Sequence, residues 1–360
     1  MEAIPHKKVF INQLRQGQQL QELFLLARKT LAETKAGKPY LALGLMDRSG
    51  EIEARLWDNA AHYDAQAQIG DFVLVQATAK SYRDQLQLGV VSLKRVDESE
   101  VALEQFMPAS PRPLAEMERE LSEVLADICD PALGRLLREI FQGETLASFV
   151  RAPAAKKMHH AYIGGLLEHT LSMVAMAKRT ADHYPMLDQD MLVAGALLHD
   201  IAKIEEFQFA RLPFDYTDQG RLVGHLVLGT ELVRRAAARV SELDPERLDQ
   251  LLHMILSHHG QLEYGSPVLP MTPEAMLLHH LDDMDAKMNY LERLRNQLSE
   301  PGWQWTDYQR PLERFLYLRG VDEEELQRQH DQQRQGRQAP RRKRASCKKS
   351  EAEKKQQSLF

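Results

Sequence analysis

The apolar pattern of this 360-residue chain changes period once, at a proline-rich stretch, and one layered architecture cannot satisfy both halves. Up to about residue 100 the pattern is that of strands. Glu51-Ile-Glu-Ala-Arg-Leu-Trp57 alternates with period two, as a half-buried strand does. Pro39–Met46, Phe72–Thr78 and Leu86–Val91 are short apolar runs bounded by the turn signals Asp47-Arg-Ser-Gly50, Ile69-Gly-Asp71 and Ser81-Tyr-Arg-Asp84. Leu20–Thr34 is apolar enough to be a long strand or a helix. The count is about five strands with a short helix near Asn59–Ala67, which fits a small closed barrel.

Met107-Pro-Ala-Ser-Pro-Arg-Pro113 is a stiff, extended linker by composition, because residues before proline are kept out of the helical region. From Leu114 to about Gln329 the spacing is helical. Leu166–Ala181, Met191–Ile201, Val223–Val240, Arg247–Leu256 and Thr272–Leu298 read as helices, the last opened by a Thr272 cap and Pro273. Strand-like runs are nearly absent there. The expected organisation is therefore multidomain: an all-β barrel over 1–106, a linker over 107–113, an all-α domain over 114–329 and a disordered tail over 330–360.

Charge follows the same division. The formal net charge is −6, yet residues 331–360 carry ten Lys or Arg against three Asp or Glu. Residues 1–330 hold 36 Lys or Arg against 49 Asp or Glu. An acidic body thus precedes a cationic tail too polar to form a core. Two cysteines, Cys129 and Cys347, are too few for a disulfide scaffold or a Cys-based zinc site. No 18-residue apolar stretch offers a membrane span, and the first residues lack the features of a signal peptide, so a cytoplasmic protein is expected.

Histidine placement points to chemistry. Of 14 histidines, 11 lie between His159 and His280. The adjacent pair His199-Asp200, in Leu197-Leu-His-Asp-Ile-Ala-Lys203, ends an apolar helix, and an imidazole beside a carboxylate can serve one metal or bridge two. Lys203 is one turn beyond His199, where an ammonium could hold a substrate phosphate. His169, His225, His258-His259 and Asp282 each lie on a separate helical segment. Nitrogen and oxygen donors without thiolates favour Mn, Mg, Fe, Co or Zn.

This pattern of His169, His199-Asp200 and Asp282 resembles the H…HD…D signature of the HD-domain phosphohydrolases, and His225 with His258-His259 resembles their binuclear phosphodiesterase members. The whole layout is similar to the YhaM-type 3′-5′ exoribonucleases, in which a small OB-fold domain precedes an HD domain. Asp47–Trp57, His159–His169, Leu256–Gly260 and Gly265–Pro270 carry that similarity, which covers roughly residues 8–318. The basic tail falls outside it.

The resemblance implies a metal-dependent exoribonuclease that hydrolyses single-stranded RNA, and also single-stranded DNA, with water activated by two ions, manganese foremost. It places His169, His199, Asp200 and Asp282 on one ion. Asp200 bridges to a second ion held by His225, His258 and His259, and Lys203 steadies a phosphoryl oxygen. It also implies a homo-oligomer. His225, His258 and His259 can equally be read as supporting or substrate-contacting groups. His159 and His160 can contact phosphate or cap a helix; His253, His279 and His280 read as packing or solvated groups. Asp283 and Asp285 read as solvated carboxylates by default, although Asp285, one turn past Asp282, could hydrogen-bond a ligand. On the barrel, Tyr40, Trp57 and Tyr82 could stack bases while Lys38, Arg55, Lys80 and Arg83 track phosphates, although Trp57 could instead be core. Two other functions remain compatible: a phosphohydrolase of small nucleotides, and a non-catalytic RNA-binding protein. No Gly-Tyr-Pro follows the site, which argues against a cyclic-dinucleotide enzyme.

Overall fold

The computed structural model describes residues 7–34, 37–82, 85–102, 105–106, 110, 112–155, 160–209, 214–298 and 300–321. The basic tail, Arg83, His159 and most of the proline-rich stretch lie outside these residues. The chain divides into two compact units. One holds the residues up to Ile128 and from Ala132 to Asp285; the other holds 129–131 and the chain from Ala286 onward.

Five strands close the N-terminal barrel: β1 (Gln19–Glu33), β2 (Pro39–Asp47), β3 (Gly50–Leu56), β4 (Phe72–Tyr82) and β5 (Gln85–Val96). Their order is β1-β2-β3-β5-β4, every pairing is antiparallel except β3 with β5, and helix α1 (Ala60–Gln66) links β3 to β4. This is the five-stranded OB-fold barrel. Alternation decides what fills it. Leu41, Leu43 and Leu45 of β2, Ile52, Ala54 and Leu56 of β3, and Val73, Val75, Ala77 and Ala79 of β4 all point inward. Their neighbours Tyr40, Arg55 and Lys80 therefore face out.

The ambiguous run at residues 20–34 is β1. It lacks clean alternation because both of its faces are buried. Phe24 and Leu26 join the barrel core, whereas Leu23 and Leu25 join a second cluster with Phe72, Val101, Phe106 and Phe214, flanked by Ile163 and Phe209. That cluster seats the barrel wall on the helical region. Phe72 meets Phe106 edge to face with ring centres 5.0 Å apart. Beside it, the Ser110 N–H donates to the Ile163 carbonyl at 3.0 Å.

The helical region comprises α2 (Leu114–Ala126), α3 (Pro131–Ile140), α4 (Gly143–Arg151), α5 (Gly165–His183), α6 (Gln189–Leu198), α7 (Lys203–Glu206), α8 (Asp218–Leu222), α9 (His225–Ala237), α10 (Pro245–Ser257) and α11 (Pro273–Gln297). Helix α6 is apolar all round from Met191 to Leu198 and every one of those residues is buried, so it is the axis of the core. Asp188 caps its start by accepting from the Met191 N–H at 3.0 Å. Gly195 lets α10 approach closely, since a Cβ there would collide with the Met254 side chain. Thr272 caps α11 as its sequence implies, accepting from the Ala275 N–H at 3.1 Å.

Among the described residues, two small two-stranded sheets interrupt the helices. One pairs β6 (Phe207–Gln208) with β7 (Asp215–Tyr216); the other pairs β8 (Gly302–Trp305) with β9 (Tyr317–Gly320). Neither leaves a periodic signal in the sequence, because strands of two to four residues are too short to repeat a pattern.

Candidate metal centre

Five helices deliver the candidate ligands, two from within and three at their ends. His169 lies within α5. His199 and Asp200 emerge where α6 stops, His225 opens α9, His258 and His259 follow the end of α10, and Asp282 lies on α11. His169, His199, Asp200 and His258 are essentially inaccessible to solvent. The Nε2 atoms of His169 and His199 are 3.2 Å apart. Asp282 Oδ1 is 3.3 Å from His169 Nε2, and Asp200 Oδ2 is 3.4 Å from His199 Nε2. The other oxygen of Asp200, Oδ1, is 3.4 Å from His225 Nε2 and 3.6 Å from His258 Nε2. His225, His258 and His259 bring one ring nitrogen each within 4.8 Å of the others.

The opposite side of each ring explains this convergence. His199 Nδ1 donates to the Ala196 carbonyl at 2.9 Å, His258 Nδ1 to Ile255 at 2.8 Å, and His259 Nδ1 to Tyr264 at 2.9 Å. His225 Nδ1 donates to Glu206 Oε1 at 2.9 Å, and His169 Nδ1 to Asp285 Oδ2 at 2.7 Å. With the Nδ1 proton committed in all five rings, the Nε2 atoms are left facing the centre. This is how outer partners orient histidine ligands for a metal.

Whether these residues fit a cation can be judged from what they leave unsatisfied. Asp200 Oδ1 and His225 Nε2 are buried without a hydrogen-bond partner. Unpartnered buried polar atoms are costly, and two acceptors facing each other call for a cation between them. Oxygen and imidazole donors without sulfur complete a divalent-metal-binding cluster.

Protonation is tuned accordingly. Burial opposes a charge on His169, but Asp282 and Asp285 outweigh it and push the imidazole up to about 10. Burial also works against ionised Asp200, yet Lys203 and His199 hold its carboxyl well below the usual carboxylate range. Asp282 is held low as well, by His169 and His199. Desolvation pushes His258 and His259 down, which keeps their lone pairs available at neutral pH. Lys203 Nζ lies 2.6 Å from Asp200 Oδ2 and remains charged: burial disfavours that charge, but Asp200, Asp282 and Glu206 more than offset it.

The structure therefore gathers His169, His199, Asp200, Lys203, His225, His258, His259 and Asp282 in one place. It puts His160 behind them: the ring is buried, with Nε2 3.2 Å from Asp285 Oδ2 and Nδ1 2.6 Å from the Tyr162 hydroxyl. Asp285 departs from the default of a solvated carboxylate. It is buried and accepts from His169, His160 and the Ser172 hydroxyl. Its spacing, one turn past Asp282, was the available signal. Glu206, which orients His225, carried none, because it stands 19 residues away and meets that ring only through the fold.

The barrel residues gather separately. Arg55, Trp57, Lys80 and Tyr82 line a groove of about 520 Å³ with Gln87, Gly89 and Val91. Trp57 is exposed rather than core, and it stacks on Tyr40 with ring centres 4.7 Å apart. Arg55 lies 5.4 Å over the Tyr40 ring, and Lys38 is 3.5 Å from Asp58. Rings and cations on one open sheet face suit a single-stranded nucleic acid.

The HD domain family model matches residues 166–287, a span that contains every convergent ligand. The 3′-5′ exoribonuclease YhaM of Bacillus subtilis (strain 168) is 37% identical over 288 residues, covering 79% of this chain and 90% of that protein. The chain belongs to the YhaM family of 3′-5′ exoribonucleases. The YhaM exoribonuclease of Bacillus licheniformis is 36% identical over the same shares of the two chains. Among solved structures, the second OB-fold domain of replication protein A from Methanococcus maripaludis aligns with 25% of this chain and 95% of its own, at 21% identity and a TM-score of 0.21. In this YhaM-family chain no helix among the described residues is long and apolar enough to cross a membrane.

Proposed function

We propose that this chain is a metal-dependent 3′-5′ exoribonuclease acting on single-stranded RNA, with single-stranded DNA as a second substrate. The observation that carries the reading is the convergence of the Nε2 atoms of His169, His199, His225 and His258 on Asp200, with Asp282 beside the first two and His259 beside the last two, each ring fixed from behind. Two divalent ions fit that layout, with manganese first and magnesium, cobalt, iron or zinc as alternatives. When bound, such ions lower the pKa of water toward neutrality and stabilise negative charge on phosphoryl oxygens.

The chain's own residues divide the remaining work. Asp200 turns Oδ2 toward His169 and His199 and Oδ1 toward His225 and His258, so it would be the residue shared by the two groups of histidines holding the ions. Lys203, charged and paired with Asp200 in the free site, would reach a non-bridging phosphoryl oxygen once metal charge satisfies the carboxylate. Tyr40, Trp57 and Tyr82 would stack bases on the barrel while Lys38, Arg55, Lys80 and Arg83 follow the phosphates. His160 would act at one remove, by holding Asp285 against His169. Assembly into a homo-oligomer, a cytoplasmic location and an anchoring role for the basic tail belong to the same reading.

Incubating the chain with Mn²⁺ and 5′-labelled single-stranded RNA tests it. The expected product is a ladder shortened from the 3′ end, absent with Asp200→Ala. Intact RNA across Mn²⁺, Mg²⁺, Co²⁺ and Zn²⁺ would overturn the reading.

A further inference from the structure

Two adjacent histidines of α11 have unlike surroundings. His280 is exposed, whereas His279 is half-buried and turned toward the end of α10. That end matters because His258 and His259 follow its last residue, where a helix leaves carbonyls without partners of its own. Here the Ile255 carbonyl accepts from the His258 ring at 2.8 Å, Leu256 from the Ser266 hydroxyl at 2.9 Å, and Ser257 from the Gly260 N–H at 2.8 Å. The His258 carbonyl accepts from His279 Nδ1 at 2.9 Å. The first three partners belong to the same turn and the loop after it. His279 is 21 residues away and reaches in from another helix.

Gly260 makes that reach possible. Its φ of +77° is one that favours glycine, and a Cβ there would collide with three atoms of the His279 ring. The imidazole therefore rests directly on the Gly260 backbone. One side chain thus holds the turn on either side of His259, by a hydrogen bond to His258 and by packing against Gly260.

The other end of this brace is set in the core. Ala275, Leu278 and Leu281 of α11 are buried there, and Asp282, three residues past His279, lies on the same side of the helix. A single turn of α11 therefore serves both halves of the cluster. Asp282 is 3.3 Å from His169 Nε2, while His279 holds the turn from which His258 Nε2 comes to 3.6 Å from Asp200 Oδ1. His279 Nδ1 meets backbone rather than a ligand atom, so its part is one of positioning.

We propose that His279 is a positioning residue for the second ion, fixing the His258-His259 turn so that both rings arrive together beside His225. This rests on the two-ion reading of the site. The Nδ1 contact of each ring sets its rotation, but the backbone that joins the rings sets their spacing, and His279 ties that backbone to α11. Loss of the brace should cost the ion held by His225, His258 and His259 and spare the ion held by His169, His199 and Asp282.

Calorimetric titration of the full-length, chelator-stripped chain with Mn²⁺ alone tests this. The unsubstituted chain should take up two ions. His279→Leu keeps much of the bulk without a donor, and should weaken one ion by about 10–100-fold while leaving the other within about two-fold. His279→Asn puts an N–H close to where Nδ1 stands and should restore most of the lost affinity. His280→Ala, at the exposed neighbour, should change neither ion. Two ions bound by His279→Leu with unaltered affinities would overturn the proposal. So would equal weakening of both, because a loosened fold does not choose between them, and so would an asparagine variant as weak as the leucine one. An unsubstituted chain that takes up fewer than two ions would overturn the two-ion reading and this role with it, so the two failures are read from different samples.

Discussion

Asp282 and Asp285 sit one turn apart on α11 and do different jobs: one faces the cluster centre, the other the back of a ligand ring. Removing the negative charge of Asp285 should leave His169 in place but weaken its hold. Asp285→Asn is expected to lower metal affinity by about 10–100-fold, measured by competition with a chromophoric chelator, with activity returning at high metal. Unchanged affinity would mean that Asp285 is only a packing group.

Protons and metal compete for the same atom. In the metal-free chain His169 titrates at about 10, so its Nε2 is protonated at neutral pH. That proton must leave before the nitrogen can bind a cation. Apparent metal affinity should therefore fall about ten-fold for each unit of pH lowered below that value, with about one proton released per binding event. Calorimetry in buffers of differing ionisation enthalpy measures the release. A pH-independent affinity would contradict the assignment. At this scale the sequence was informative about the inner residues, because His199-Asp200, His169 and Asp282 carry a recognisable pattern. In the supporting layer only Asp285 left a spacing to read, one turn past Asp282; Glu206, Ser172 and Tyr162 are assembled by tertiary contacts, which leave none.

Among elements, helices were legible where one face is buried and the other is wet. Helix α10 is capped by Asp244, which accepts from the Glu246 N–H at 3.0 Å, and it follows its periodicity closely. Strand β1 was ambiguous because neighbours cover both of its faces. The same double burial explains the seam between barrel and helices. Phe106 is fully buried there against Phe72, so Phe106→Ala should destabilise the fold by about 3–5 kcal/mol in chemical denaturation. A loss below about 1 kcal/mol would mean that the seam collapses around the cavity. The β8–β9 hairpin shows the converse. Its Trp-Gln-Trp alternation was present but spans only four residues, and a helical neighbourhood hid it.

For the molecule as a whole, a mildly acidic total hides opposed parts: an acidic body that holds a buried cluster of histidines and aspartates, and a cationic stretch over residues 331–360. Trimming the chain after Gln329 removes a net +7. The expected result is weaker RNA binding with a shallower dependence on salt, while hydrolysis of a short substrate keeps its rate. Equal salt slopes before and after trimming would show that the tail does not touch the polymer.

The central claim is that Asp200 bridges two cations held by two groups of histidines. An anomalous-difference map from crystals grown with Mn²⁺ tests it most directly. The account predicts two peaks about 3.5–4 Å apart flanking the Asp200 carboxylate, one beside His169, His199 and Asp282 and one beside His225, His258 and His259. A single peak, or one bound away from Asp200, would contradict it.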